Sequence, residues 1–450
     1  MLVLLCVAQL ALAPVSSALA QSRSLPIVRD AEIEALVRDY ARPIFKAAGL
    51  SRSGIDIVLV NDSSFNAFVA GRRMFVNTGA LMTAETPNEI IGVFAHEAGH
   101  LAGGHQDRLR EQLKRAQTMS IVAALLGIGA SAAGALSNNG GLASVGGGIA
   151  AGGAELARRG LLSYQRTEEI TADRSALEYL KRTKQSPKGM IVTFERFASA
   201  LSLSGSRADP YQLSHPLPRD RIANLEAVAR KSPYYDKADP PALQQRHDMA
   251  RAKIAAYTQG QSAVARMFAR DRGSLAARYG DAILTYLNGN PAAALKKIDE
   301  LIRKQPKNPY FQELRGDILI KANKAGEAAK AYATASRLDP SRSGLLQAGY
   351  GQALVAAGDK ASLKKAVGVL RKAITTDREN PASYHILAQA QGRLGNVAEA
   401  ELATAEGHFY SGRFQDAKIF ATRAQQKLKR GSPGWLRADD IIRYRVPGKK

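Results

Sequence analysis

The stretch FAHEAGHLAGGH (Phe94–His105) sets His96 and His100 four residues apart, with Glu97 directly after the first histidine. On a helix, residues four apart lie on one face, a turn from each other. Two imidazoles so placed can reach one metal ion. Glu97 lies about 100° round the helix from His96. That position suits a base acting on water at the metal rather than a ligand. Small residues at Ala98 and Gly99 allow another backbone close to this helix, and the apolar run Ile90–Ala95 buries its start.

A catalytic zinc needs a third protein ligand. In the one-carboxylate arrangement a later helix supplies a glutamate, and TEEITADRSAL (Thr167–Leu177) offers Glu168 and Glu169. Glu169 is selected because Asp173 follows one turn on and can accept the N–H of a ligand histidine, fixing its tautomer. Glu168 is expected to point elsewhere on the helix. The site so read is His96, His100 and Glu169 on one Zn2+ per chain, Glu97 as general base, and Asp173 behind the ligands. His105, nine residues from His96, is expected on the opposite face as a structural or surface residue. His247, His385 and His408 stand isolated.

Around this stretch, Ile33, Leu36, Val37, Ala41, Ile44 and Phe45 keep helical spacing over residues 29–48. IDIVLVND (Ile55–Asp62) reads as a buried strand. AFVA and MFVNTGAL read as a hairpin turning at Gly71. Pro87, Asn88 and Glu89 open the next helix, which is expected to run on to about Leu113, and a third helix is expected from about Ala154 to Lys184.

Between them, Ala116 to Ala154 carries no charge. Ser120–Leu136 falls just short of the roughly 20 apolar residues that span a bilayer. Asn138–Gly141 interrupts the segment. The choices are a small-residue helical hairpin packed on its own protein, insertion at a membrane surface, or spanning.

From about Ser274 the chain repeats. Ala294 and Ala328, Ile298 and Tyr332, and Pro306 and Pro340 are each 34 residues apart. A 34-residue helix-turn-helix with small packing residues is the tetratricopeptide signature. Four to five units are expected, stacked into a curved solenoid.

At 450 residues the chain exceeds one compact core. Its formal net charge of +23 fits either a solvated basic surface or contact with an anionic membrane face. No nucleic-acid motif accompanies the charge, so nucleic acid is not an expected partner. The opening MLVLLCVAQLALAPVSSALA ends in a small-x-small pattern at Ala18–Ala20 and reads as a secretory signal peptide over residues 1–20. Cys6 is the sole cysteine and lies inside it, so thiol chemistry plays no part in the expected mature chain.

NAFVAGRRMFVNTGAL, HEAGH, EITAD and SHPLPRDRI occur in the order found in the metallopeptidase family that holds HtpX and the CAAX prenyl proteases, which this sequence resembles. With the leader and the repeats it is most similar to the periplasmic BepA-like branch. The resemblance implies a mainly α protein: an α+β zincin-like catalytic domain of the gluzincin type with a small sheet over residues 21–265, then an all-α tetratricopeptide-repeat solenoid over 266–450. It implies zinc on His96, His100 and Glu169, and a substrate cleft bordered by the strand near Met74–Asn77, whose exposed edge is expected to pair with an extended peptide. The hairpin reads AGRR where the family has Pro-Gly. His215, in SHPLP, is implied near the active site, where it either holds the oxyanion or occupies the open zinc position and keeps the enzyme shut. Arg221 is either a salt-bridge partner of the ligand helix or catalytic.

The expected function is a zinc endopeptidase of the bacterial periplasm, acting on misfolded or stalled envelope proteins. Its partners would be protein or peptide substrates and, through the repeats, the outer-membrane assembly machinery or other envelope proteins, with possible peripheral membrane contact. The alternatives are a chaperone or assembly scaffold with a latent zinc site, and an integral membrane protease.

Overall fold

The computed structural model describes residues 25–118, 122, 140–204 and 219–446. Residues 1–20, His215 and most of the uncharged segment lie outside them. No helix among the described residues is long and apolar enough to cross a membrane.

Helix α1 (Ala31–Ala47) is capped by Asp30, whose side chain accepts the N–H of Ile33. Its buried stripe Ile33, Leu36, Val37, Tyr40, Ala41 and Ile44 recurs at three- and four-residue steps, the pattern of a helix with one face in the core. Strands β1 (Ile27–Val28), β2 (Asp56–Val60), β3 (Ala67–Ala70) and β4 (Arg73–Asn77) form one sheet in the order β1-β2-β4-β3. β2 runs parallel to β4, and β3 antiparallel to it. Gly71 turns the hairpin at φ 60°, a conformation that costs glycine little and other residues more. This order corrects the expectation for Met74–Asn77. β4 is paired on both sides; the edge strands are β1 and β3, and β3 is the one that lines the cavity at Glu97.

The short α2 (Thr78–Thr83) leads to α3 (Pro87–Gly103), the helix of the opening stretch. A capping box of Thr86 and Glu89, with Pro87 in the first turn, fixes its start. It is buried on every side from Pro87 to His100. At Gly99 a Cβ would stand 2.8 Å from the carbonyl oxygen of Ala172, so the glycine is what lets the two helices meet. The helix does not run on to Leu113. Gly104, at φ 64°, ends it in the left-handed conformation, and a new helix α4 covers residues 105–118.

Helix α5 (Gly140–Arg182) lies against α3, followed by α6 (Lys188–Ser204), α7 (Arg219–Ala229) and α8 (Pro241–Thr258). Residues 140–154 of the uncharged segment thus open a long helix that carries Glu169 and Asp173.

After a short helix, Gln261–Met267, the rest is a stack of helix pairs: Leu275–Leu287 with Pro291–Lys304, Pro309–Lys321 with Ala325–Leu338, Gly344–Ala357 with Lys360–Thr376, Pro381–Arg393 with Val397–Tyr410, and Phe414–Lys427 with Pro433–Arg443. Each packs on its sequence neighbours, as a tetratricopeptide solenoid does. The expected fold class therefore holds. No loose linker joins the two parts, because Met249 and Ala252 of α8 share a core with Tyr279 and Phe311 of the first repeats. α1 also serves both parts: Ala31 and Ala35 pack with Tyr310, Ala335 and Leu346 of the solenoid, and Tyr40 meets Phe94 of α3.

Candidate active site

His96, His100 and Glu169 are buried and converge, each offering a ligand atom within 4.8 Å of the other two. The two imidazole Nε2 atoms are 3.0 Å apart, and each lies 3.3 Å from a Glu169 oxygen. Tetrahedral ligands at zinc distances of about 2.0–2.1 Å stand roughly 3.3 Å from one another. The donor set therefore fits a tetrahedral metal with one position left for water or substrate.

What lies behind the two histidines bears on their tautomers. Nδ1 of His96 is 2.9 Å from Asp173 Oδ1, so it donates there and turns Nε2 toward His100 and Glu169. Asp173 is clamped by Arg221, whose Nε and Nη2 donate to it at 2.6 and 2.9 Å. A third guanidinium nitrogen reaches Glu169 at 3.0 Å. Burial raises the pKa of Asp173, but Arg221 and His96 outweigh it and hold the carboxyl below the usual range. Burial lowers the pKa of His96, and hydrogen bonds to Asp173 and Glu169 more than offset it, bringing the value to about 10; a metal binding at Nε2 would displace the proton held there. Of the two readings of Arg221, the ion pair to the ligand helix is the one observed.

His105 is a buried, structural residue, but it does not lie on the face opposite His96. Because α3 breaks at Gly104, the ring of His105 turns back, and its Nδ1 sits 2.9 Å from His100 Nδ1. Its Nε2 is 2.7 Å from Glu168, which also receives Arg108 at 2.7 Å. Were a metal to take Nε2 of His100, that ring would carry its proton on Nδ1 and donate it to Nδ1 of His105, whose other nitrogen lies at ion-pair distance from Glu168. Glu168, expected to point away, anchors this second chain. Gly103-Gly104 before His105 is the signal in the sequence that could have predicted the break.

Glu97 is fully buried in α3 and lines, with His100, a cavity of about 370 Å³ beside the β3 edge. Asn66, Val69, Gln106 and Tyr164 also line it. Oδ1 of Asn66 is buried there without a hydrogen-bond partner among the described residues, which suits recognition of a peptide N–H. His247 is not isolated. It accepts from the Tyr40 hydroxyl at 2.9 Å and donates to Ala84 O at 2.9 Å.

Comparison with known proteins gives the same reading. Residues 28–229 match the model of Peptidase family M48. The beta-barrel assembly-enhancing protease of Escherichia coli (strain K12) is 24% identical over 429 residues, covering 93% of this chain and 84% of its own. The putative beta-barrel assembly-enhancing protease of Vibrio cholerae serotype O1 is 27% identical over 438 residues, with the same coverage. Metalloprotease YcaL of Escherichia coli (strain K12) is 31% identical over 187 residues, 40% of this chain and 66% of its own. A metal-ready histidine pair and glutamate, a buried Glu97 beside them and the match over residues 28–229 together make those residues a metalloprotease domain similar to peptidase family M48.

Proposed function

We propose that the chain is a zinc endopeptidase of the bacterial periplasm. It would hydrolyse misfolded or stalled envelope proteins, with catalysis in residues 21–265 and partner recruitment by the repeats over 266–450. The observation that carries the zinc assignment is the tetrahedral spacing of His96, His100 and Glu169, two nitrogens and one carboxylate being a donor set common in catalytic zinc sites. Zinc held there supplies Lewis acidity, which makes water acidic near neutral pH and polarises a carbonyl. Glu97 takes the proton from the attacking water and returns it to the leaving amine. Asp173 and His105 hold the two histidines in the binding tautomer, and Arg221 keeps Asp173 ionised and pairs with Glu169. The open edge of β3 pairs with an extended peptide and lays it across the site.

Support for the envelope setting comes from the relatives named for β-barrel assembly and from the apolar leader-like opening. The outer-membrane assembly machinery is the proposed partner of the solenoid. His215 retains both proposed roles, and His215→Ala separates them: basal proteolysis falls if it serves the oxyanion and rises if it blocks the metal. The deciding experiment is zinc content with casein degradation on the purified protein and its Glu97→Gln variant. About one zinc per chain, with proteolysis lost only in the variant, is expected. Absence of zinc, or equal proteolysis in both, overturns the proposal.

A further inference from the structure

The edge of β3 is not equally open along its length. Asn77 N donates to Asn66 O at 2.9 Å, so Asn66 and Asn77 form a hydrogen-bonded pair of the hairpin. In an antiparallel ladder such pairs alternate with non-bonded ones. The register Ala67↔Val76, Phe68↔Phe75, Val69↔Met74 then turns the N–H and C=O of Phe68 toward β4. Those of Ala67 and Val69 face away from the sheet, into the cleft that Val69 lines.

One side chain already occupies the far end of this row. The Gln106 amide nitrogen donates to Val69 O, and Gly71 N donates to Gln106 Oε1 at 3.2 Å. A neighbouring parallel strand makes the same pair of bonds, its N–H to one carbonyl and its C=O to the N–H two residues on. Gln106 is held in place by its neighbour His105, itself fixed between His100 and Glu168. The left-handed Gly104 supplies the turn that brings both residues back to the cleft.

We propose that Gln106 terminates the peptide-binding edge: it takes the main-chain positions at Val69 O and Gly71 N, and so sets where an extended substrate stops pairing. The inference rests on the reading of β3 as the substrate edge. A bound peptide has Ala67 N–H, Ala67 C=O and Val69 N–H to pair with. Substrate residues beyond Val69 find the edge filled and gain nothing from main-chain recognition. Gln106 is thus a specificity-determining residue that limits substrate reach at one end of the cleft.

The test uses the full chain carrying Glu97→Gln, so that peptides stay uncut. Fluorescein-labelled alternating Ser/Val peptides are lengthened one residue at a time from either end, and Kd is read by anisotropy. With Gln106 present, the gain in affinity with length is expected to stop at the end that meets Val69. In Gln106→Ala, and in Gln106→Met, which keeps the packing and loses both hydrogen bonds, the gain is expected to continue for one more residue, about 2- to 10-fold in Kd. Amide exchange at Gly71 in the free protein should quicken in both variants. Identical length profiles in all three proteins, or unchanged Gly71 exchange, overturn the inference. Absence of peptide binding overturns it too, while casein degradation by the wild type separately decides whether the protein is a protease.

Discussion

The two halves of this chain are built on opposite rules of contact. In the solenoid each helix rests on the helices next to it in sequence: Gly316 faces Tyr332, and Gly351 faces Leu370. In the catalytic half, partners are remote. His96 meets Asp173 across 77 positions, Asp173 meets Arg221 across 48, and Tyr40 meets His247 across 207. Neighbour-only contact makes stability a sum over repeats. Remote contact makes the site the product of one cooperative unit, in which no ligand is placed until the whole is.

That contrast can be broken or sharpened by experiment. The largest effect is expected from Glu97→Gln, which should lower proteolysis by about 10²–10⁴-fold while metal content and unfolding midpoint stay as in the wild type. Loss of metal with activity would mean that Glu97 also shapes the site. In the solenoid, Leu370→Ala, at a fully buried position, should cost about 2–5 kcal/mol. Hydrogen exchange should quicken in the adjoining helices and leave α3 protected, and exchange that spreads to α3 would erase the difference between the halves.

A proton should do in the catalytic half what a deletion does in the solenoid. Burial pushes His247 down to about 4 from its ordinary 6.5, so the unfolded chain takes up the proton first as pH falls. Stability is full above about 6.5 and declines toward pH 4, by about 3 kcal/mol over that window. Urea unfolding at neutral and acid pH should show the decline, and His247→Gln should flatten it. The smallest effect is expected from His105→Ala: a loss of about 10–100-fold in metal affinity, read by competition with a chromophoric chelator, with the repeats undisturbed. Unchanged affinity would show that His100 needs no support.

Legibility followed the same division. The solenoid could be read from a period because its contacts are periodic: Ala294 and Ala328 sit at one packing position in successive units. HEAGH could be read because helix geometry alone aligns His96 with His100. Glu169 could be chosen because Asp173 lay one turn on. What escaped depended on the path of the backbone through space. A left-handed Gly104 reverses the face on which His105 lies, bringing it to His100 and Glu168 to His105. The parallel pairing of β2 with β4 moves the open edge from Met74–Asn77 to β3. Arg221 could be named as an ion-pair candidate, but its hold on both Asp173 and Glu169 requires α7 and α5 to be seen side by side.

The double duty of α1 has a mechanical consequence. Ala31 and Ala35 bear on Tyr310, Ala335 and Leu346 of the solenoid, while Tyr40 bears on Phe94, two residues before His96. A single rod therefore spans from the repeats to the catalytic helix, with packed side chains at both bearings. Flexing of the solenoid should therefore reach the active site as displacement of that rod. Solenoid and catalytic helix are geared, not tethered.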